Sequence, residues 1–246
     1  MNNPPIPKEA IFAGLSEEQR AVVSHSGGHA LVSAVAGSGK TLTLIRRILF
    51  LLRSGVRPEK ILVVMYNRDV KESFIRRLEA ECAPFGLTHP KVFTFHGLGG
   101  RICKRMSERN LISEAKLITE DYSPKIFLRQ ALEMAAKEHG EEESPFTEHA
   151  QLAELFSLID SWKGDLLRPI EVKGSIELKD ISPVLKDAYL YYEELRGENG
   201  FRTFADLLYD PVMAMRRQPS LQTWAANRYD QCPKNVPKMQ FKRKRG

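Results

Sequence analysis

The segment Ala34-Val35-Ala36-Gly37-Ser38-Gly39-Lys40-Thr41 constrains this chain more than any other. It departs from the strict G-x-x-x-x-G-K-[ST] pattern only at its first position, where Ala34 stands in place of glycine. Small residues let successive backbone N–H groups curl around an anion, and a helix that follows directs the positive end of its dipole at the same point. The flanks suit this arrangement. Residues 29–34 (HALVSA) form an apolar, strand-like run, and residues 40–53 carry apolar side chains at helical spacing. Read as strand, loop and helix, the segment is a phosphate cradle for a nucleoside triphosphate. Lys40 reaches its β- and γ-phosphates and Thr41 offers a hydroxyl to Mg²⁺. The bland alternative is an ordinary glycine-rich turn, which the flanking strand and helix disfavour.

The rest of the first half repeats the alternation. Residues 16–24 read as a short helix opened by a capping box, Ser16 with Gln19. Residues 61–66 (ILVVMY) are continuously apolar, as a strand buried on both faces requires, and residues 68–82 read as a helix. Residues 91–95 (KVFTF) give a third short strand, followed by a helix over 96–109. Strands alternating with helices predict an α/β fold with a parallel sheet. From 110 to 200 the strand signal disappears. Amphipathic helices are expected over 124–139, 148–162 and 183–196, joined by the acidic stretch 141–143 and the segment 164–180, which makes an all-helical insertion. Residues 203–217 and 220–229 resume helical patterning, and the Pro-rich residues 1–11 are expected to be irregular.

Charge narrows the reading less than it promises. The chain has 246 residues with 37 Lys and Arg against 31 Asp and Glu, a formal charge of +6 that suggests a polyanion partner. Six of those basic residues (Lys234, Lys238, Lys242, Arg243, Lys244 and Arg245) lie in the last fourteen positions, which hold no acid. The body is therefore neutral, 31 against 31, and residues 231–246 read as a basic, disordered tail. A composition that is 42% hydrophobic and 28% charged excludes collagen-like and wholly disordered chains. Cys82, Cys103 and Cys232 are widely spaced, which implies neither a disulfide framework nor a zinc site. With no signal-like start and no apolar run long enough to span a bilayer, the expected home is the cytoplasm, with no membrane partner.

Four segments taken in order carry a resemblance: LSEEQRAVV (15–23), AVAGSGKT (34–41), ILVVMYNRDVKESFIRRL (61–78) and TFHGLGGRI (94–102). Together they resemble the N-terminal motor region of UvrD/Rep-like superfamily 1 DNA helicases, in the order of that family's Q motif, Walker A motif, motif Ia and motif Ib. FADLL (204–208) extends the likeness to about residues 11–230. The resemblance implies a RecA-like P-loop fold. Residues 1–105 and 201–230 form subdomain 1A, and the helical residues 106–200 fall where the family has subdomain 1B. It also implies a cofactor pair, ATP with Mg²⁺. Gln19 would bond the adenine edge, Ala36, Gly37, Ser38, Gly39, Lys40, Thr41 and Leu42 would hold the nucleotide, and Lys40 and Thr41 would serve catalysis. Leu42 stands where many relatives have an arginine near the adenine. Tyr66, Asn67, Thr94, Phe95 and His96 match segments that line the single-stranded DNA track. On the residues alone, Gln19 is also the cap partner of Ser16, Tyr66 and Phe95 also read as core aromatics, and His96 as a helix cap.

What the family has next is missing here. Its hydrolytic centre needs an apolar strand ending in Asp-Glu, due directly after the Arg228-Tyr229-Asp230 segment. Instead the sequence runs QCPKNVPKMQFKRKRG, with two prolines and no acid, and is not expected to make a central strand. Leu155 to Asp160 and Tyr189 to Glu194 have helical spacing and do not fill the role. The expectation is a helicase fragment with a nucleotide pocket and part of a DNA track, binding single-stranded DNA weakly and inactive alone, its missing motor domain absent or supplied by another chain. The alternative is a non-enzymatic module on the same fold that binds DNA or a helicase. An unrelated P-loop kinase fits less well.

Overall fold

The computed structural model describes residues 7–26, 30–119, 122–141, 149–229 and 239–240. Among the described residues the structure is helix-rich with three two-stranded parallel pairs, and the chain divides into two compact units: residues 1–95 with 220–246, and residues 96–219. These boundaries lie at 95/96 and 219/220, where the sequence reading placed the subdomain limits at 105/106 and 200/201.

In the first unit, α1 (Lys8–Phe12) precedes α2 (Glu17–Ser24), β1 (Ala30–Leu31), α3 (Lys40–Arg53), β2 (Val63–Met65), α4 (Arg68–Cys82) and β3 (Val92–Thr94). α3 and α4 have the bounds that periodicity predicts. α1 corrects the expectation of an irregular start. Five residues cannot sustain a helix on propensity, but Ile11 is fully buried and the Phe12 ring meets Phe50 edge-on at 6.1 Å, so tertiary packing holds it. Ile45, Ile48 and Leu49 of α3 recur at helical spacing and enter a core with Val23, Val63, Phe74, Leu78 and Val92. β2 and β3 pair in parallel, Val63 opposite Val92 and Met65 opposite Thr94, with α4 as the crossover that parallel pairing requires.

β1 is shorter than the apolar run that predicted it, and its partner was unexpected. It pairs in parallel with β6 (Met239–Gln240), Ala30 opposite Met239 and Leu31 opposite Gln240. Residues 231–246, read as a basic tail that makes no central strand, thus contribute one short strand to a two-stranded pair. A strand's N–H and C=O groups need partners but do not select side chains, so a two-residue pairing leaves no pattern to read. The remaining tail residues lie outside the described residues.

The second unit is built from α5 (Phe95–Ser107, entered from the first unit), β4 (Lys116–Leu117), α6 (Tyr122–Glu138), α7 (His149–Gly164), α8 (Pro169–Lys173), α9 (Pro183–Glu198), β5 (Phe201–Arg202) and α10 (Asp206–Arg217). α11 (Pro219–Tyr229) follows at the boundary with the first unit. β4 pairs in parallel with β5, Lys116 opposite Phe201, so the segment expected to be all-helical contains a strand. Both β4 residues are exposed, which removes the alternation that would have revealed it. α8 likewise interrupts the segment expected to be a plain connection. Ala131, Ala135 and Ala136 let α6 lie close against α9, whose Ala188, Tyr189 and Tyr192 are fully buried. Gly99 of α5 is required by close approach, since a Cβ there would stand 2.2 Å from the Leu207 carbonyl oxygen.

Among the described residues no helix is long and apolar enough to cross a membrane. Cys82 and Cys103 are buried free thiols whose pKa values burial pushes up to about 11.

Candidate phosphate loop and strand-end aromatics

The loop between β1 and α3 is exposed from Ala34 to Gly37, and Val35 is 78% exposed at its tip. Gly37 at φ +80° and Gly39 at φ +76° occupy the left-handed region, which glycine enters at no steric cost. Between them the backbone turns so that the Val35 carbonyl accepts three donors: the Ser38 N–H at 3.4 Å, the Ser38 hydroxyl at 2.8 Å and the Lys40 ammonium at 2.6 Å. Lys40 Nζ also donates to the Ala34 carbonyl at 3.1 Å. Two of its three N–H bonds are thereby directed onto the loop, and the charge rests on neutral carbonyls.

α3 begins at Lys40, with Gly39 as its N-cap. The first N–H groups of a helix have no intrahelical acceptor and carry the positive end of its dipole. No acidic side chain stands in the first turn of α3. Thr41 is half-buried in that turn and Leu42 is exposed. Ser16 caps α2 in the expected capping box, and Gln19 Nε2 also donates to the Ser38 carbonyl at 2.9 Å. No sequence signal marks this second contact, because the spacing of Ser16 and Gln19 reports only the helix start.

A second group lies at the carboxyl ends of β2 and β3. The register sets Met65 opposite Thr94, and Tyr66 and Phe95 are the residues that follow the two paired strands. Tyr66 is 85% exposed and Phe95 52% exposed, which corrects the reading of these rings as core aromatics. Asn67 is the N-cap of α4, its Oδ1 accepting from the Val70 N–H at 2.9 Å, and it is exposed. Thr94 closes β3 and is half-buried.

His96 is the first residue of the second unit. It follows Phe95 inside α5, so it does not stand at the helix cap. Its ring meets the exposed Phe204 ring edge-on at 5.9 Å and 87°. Phe204 was visible in the sequence only as part of FADLL, with no role attached. The turn that carries it is fixed by Asp206, whose Oδ2 accepts from the Thr203 N–H at 2.7 Å and the Thr203 hydroxyl at 2.9 Å.

A family model described as the UvrD/REP helicase N-terminal domain matches residues 15–232. Among curated relatives, the ATP-dependent DNA helicase UvrD1 of Mycobacterium tuberculosis is 26% identical over 236 residues, covering 92% of this chain and 28% of the relative. The ATP-dependent DNA helicase PcrA of Bacillus subtilis is 26% identical over 212 residues, covering 86% and 27%. The ATP-dependent DNA helicase Rep of Buchnera aphidicola subsp. Schizaphis graminum is 23% identical over 213 residues, covering 85% and 30%. The chain thus spans under a third of the length of these relatives.

Proposed function

The chain belongs to the UvrD/REP helicase N-terminal domain family, and on that premise we propose that it is the ATP-binding, DNA-contacting part of an ATP-dependent DNA helicase, on a RecA-like P-loop fold. The reading is carried by one observation: the left-handed glycines 37 and 39 set an exposed loop at the start of a fourteen-residue helix, with the Lys40 ammonium seated on loop carbonyls.

The residues present suit a triphosphate with Mg²⁺. A Cβ at Gly37 would meet nothing within 4 Å, so the mouth of the loop is open. Ala36, Gly37 and Gly39 would offer backbone N–H groups, Ser38 would turn its own from the Val35 carbonyl, and the α3 dipole favours negative charge at that point. Lys40 would turn from the carbonyls to the phosphates. Thr41 would offer its hydroxyl to Mg²⁺, an ion that takes few protein ligands and relies on phosphate oxygens and water. When bound, Mg²⁺ would neutralise phosphate charge. Gln19 and Leu42 flank the nucleotide end of the cradle.

Tyr66 and Phe95 would stack on bases of single-stranded DNA without reading sequence, while Asn67, Thr94 and His96 would bond backbone or sugar. Hydrolysis by this chain alone would be negligible. The sequence contains no Asp-Glu dipeptide of the kind that the family resemblance implies for holding the metal through water and activating the attacking water. Titration calorimetry with ATP and Mg²⁺ tests the assignment. Binding that Lys40→Ala removes supports it, and binding indifferent to Lys40 overturns it. Turnover by the pure chain, abolished by Lys40→Ala, would overturn the inactivity.

A further inference from the structure

β1 is the strand that feeds the phosphate loop. Two residues, Val32 and Ser33, separate its last residue, Leu31, from Ala34 at the start of the loop. Its partner β6 runs in the same direction, with Leu31 opposite Gln240, so both chains leave the pair at the same end, one strand spacing of about 4.8 Å apart. The sequence after Gln240 is Phe241-Lys242-Arg243-Lys244-Arg245-Gly246. These residues lie outside the described ones and enter by sequence and connectivity alone. An extended chain covers at most about 3.5 Å per residue, which gives the four cations a reach of roughly 7–17 Å from Gln240, against about 10 Å from Leu31 to Ala34. An antiparallel β6 would have sent the same run away from the loop.

Charge makes that direction matter. The first 232 residues carry 31 basic and 31 acidic side chains, so a polyanion nearing the loop meets no net attraction from the body of the chain. Salt screens charge within about 8 Å at physiological ionic strength, so the cations that count are those near the loop. Lys40 is the single cation within residues 34–41, and the first turn of α3 holds no acid.

We propose that the tail is part of the phosphate site: β6 moors it on β1, and the run Lys242 to Arg245 supplies cations to a polyphosphate held in the loop. The inference rests on the reading of residues 34–41 as a phosphate site and adds to it a source of charge distant in the sequence. The ligand recognised is the polyphosphate itself, so ATP and inorganic tripolyphosphate gain alike.

The test titrates ATP and inorganic tripolyphosphate, each with Mg²⁺, into the full chain and its variants. Neutralising the run (Lys242→Gln, Arg243→Gln, Lys244→Gln and Arg245→Gln together) weakens both ligands by roughly three- to tenfold and flattens the dependence of affinity on salt. Met239→Pro with Gln240→Pro keeps every charge but removes the N–H groups of β6, and lowers affinity as much. Lys234→Gln with Lys238→Gln, on the amino side of β6, lowers it by less than about twofold. Unchanged affinity in the neutralised or the proline variant, a loss confined to ATP, or an equal loss from Lys234 and Lys238 overturns the proposal. A nitroxide on Phe241→Cys, in a Cys232→Ser background with Cys82 and Cys103 buried, reads the placement without ligand. It broadens the amide signals of Val35 to Ser38, and the two prolines abolish the broadening; no broadening with β6 intact overturns the mooring. If the wild type binds neither ligand, or binding ignores Lys40→Ala, the phosphate-site reading fails, and the nitroxide still decides whether the tail is moored beside the loop.

Discussion

Two lysines show how differently the two units use charge. In the first unit, Lys40 rests on the Ala34 and Val35 carbonyls at the mouth of an exposed loop. In the second, Lys163 is 1% exposed and pinned between Glu193 and Asp206, 2.6 Å from each. Around it Arg196 bonds Glu193 and Asp210, and Arg202 bonds Asp210, so three cations face three carboxylates. Neutral carbonyls hold an ammonium without cancelling its charge, which stays available to an incoming anion. Carboxylates cancel it. Buried ion networks of this kind tie elements into one arrangement, here α7, α9 and α10, and they exact a large penalty when one member is removed.

The largest effect should follow from breaking the cancelled charge. Lys163→Met removes the nearer of the two cations that Glu193 and Asp206 share, leaving only Arg196, and should lower unfolding free energy by about 3–5 kcal/mol. Urea unfolding followed by the fluorescence of the neighbouring, buried Trp162 measures it; a loss under about 1 kcal/mol would mean the network is not a structural tie. Acid should attack the same place. Burial pushes the Asp206 carboxyl up, but Lys163 and Arg196 outweigh that and hold it below its ordinary value of 3.8. A depressed folded pKa gives its stabilisation in full above the unfolded value and loses it as pH falls through the folded one. The urea midpoint of the wild type should therefore drop on acidification below about pH 4, and that drop should be shallower in Lys163→Met.

Lys40→Ala is the counterpart and should separate binding from stability. On the proposed role, removing the ammonium should weaken triphosphate binding by about 1.5–3 kcal/mol, on the order of ten- to a hundredfold. Because the side chain satisfies no buried carboxylate, the urea midpoint should stay where it is. A variant that lost stability and affinity together would erase the distinction between the two lysines.

How much of this was legible in the sequence follows the same division. α3 and α4 were readable because their apolar positions repeat at helical spacing, and the turn before α3 because its glycines are contiguous in the chain. β4 and β6 were not, since two residues have no period and a parallel partner lies far along the chain. The exposure of Tyr66 and Phe95 was hidden for another reason. An aromatic at the end of an apolar run looks like core until the register shows that the run has already ended at Met65 and Thr94. The Lys163 network draws on α7, α9 and α10, and no single segment carried its signal.

The strand-end aromatics should show the next smaller effect. Tyr66→Ala and Phe95→Ala should each weaken binding of a thymidine oligonucleotide, by up to about 1–3 kcal/mol for a stacked base, with little change in stability because both rings stand in solvent. Fluorescence anisotropy of a labelled oligonucleotide reads this directly, and unchanged affinity in both variants would remove these rings from the DNA track.

Asn67 gives the smallest and most discriminating case, because one amide is asked to do two things. Its Oδ1 caps α4 through the Val70 N–H, a role worth about 1 kcal/mol and lost in Asn67→Ala. Asp is as good an N-cap as Asn and suits the positive end of the helix, so Asn67→Asp should keep stability within a few tenths of a kcal/mol. It also places a negative charge beside any phosphate that Asn67 would meet. If Asn67 serves DNA as well as the helix, Asn67→Asp keeps the urea midpoint and lowers oligonucleotide affinity, with the deficit shrinking as salt screens the repulsion. If it is only a cap, Asn67→Asp is neutral in both measurements, and the proposed DNA contact in the first unit contracts to the two aromatic rings and Thr94.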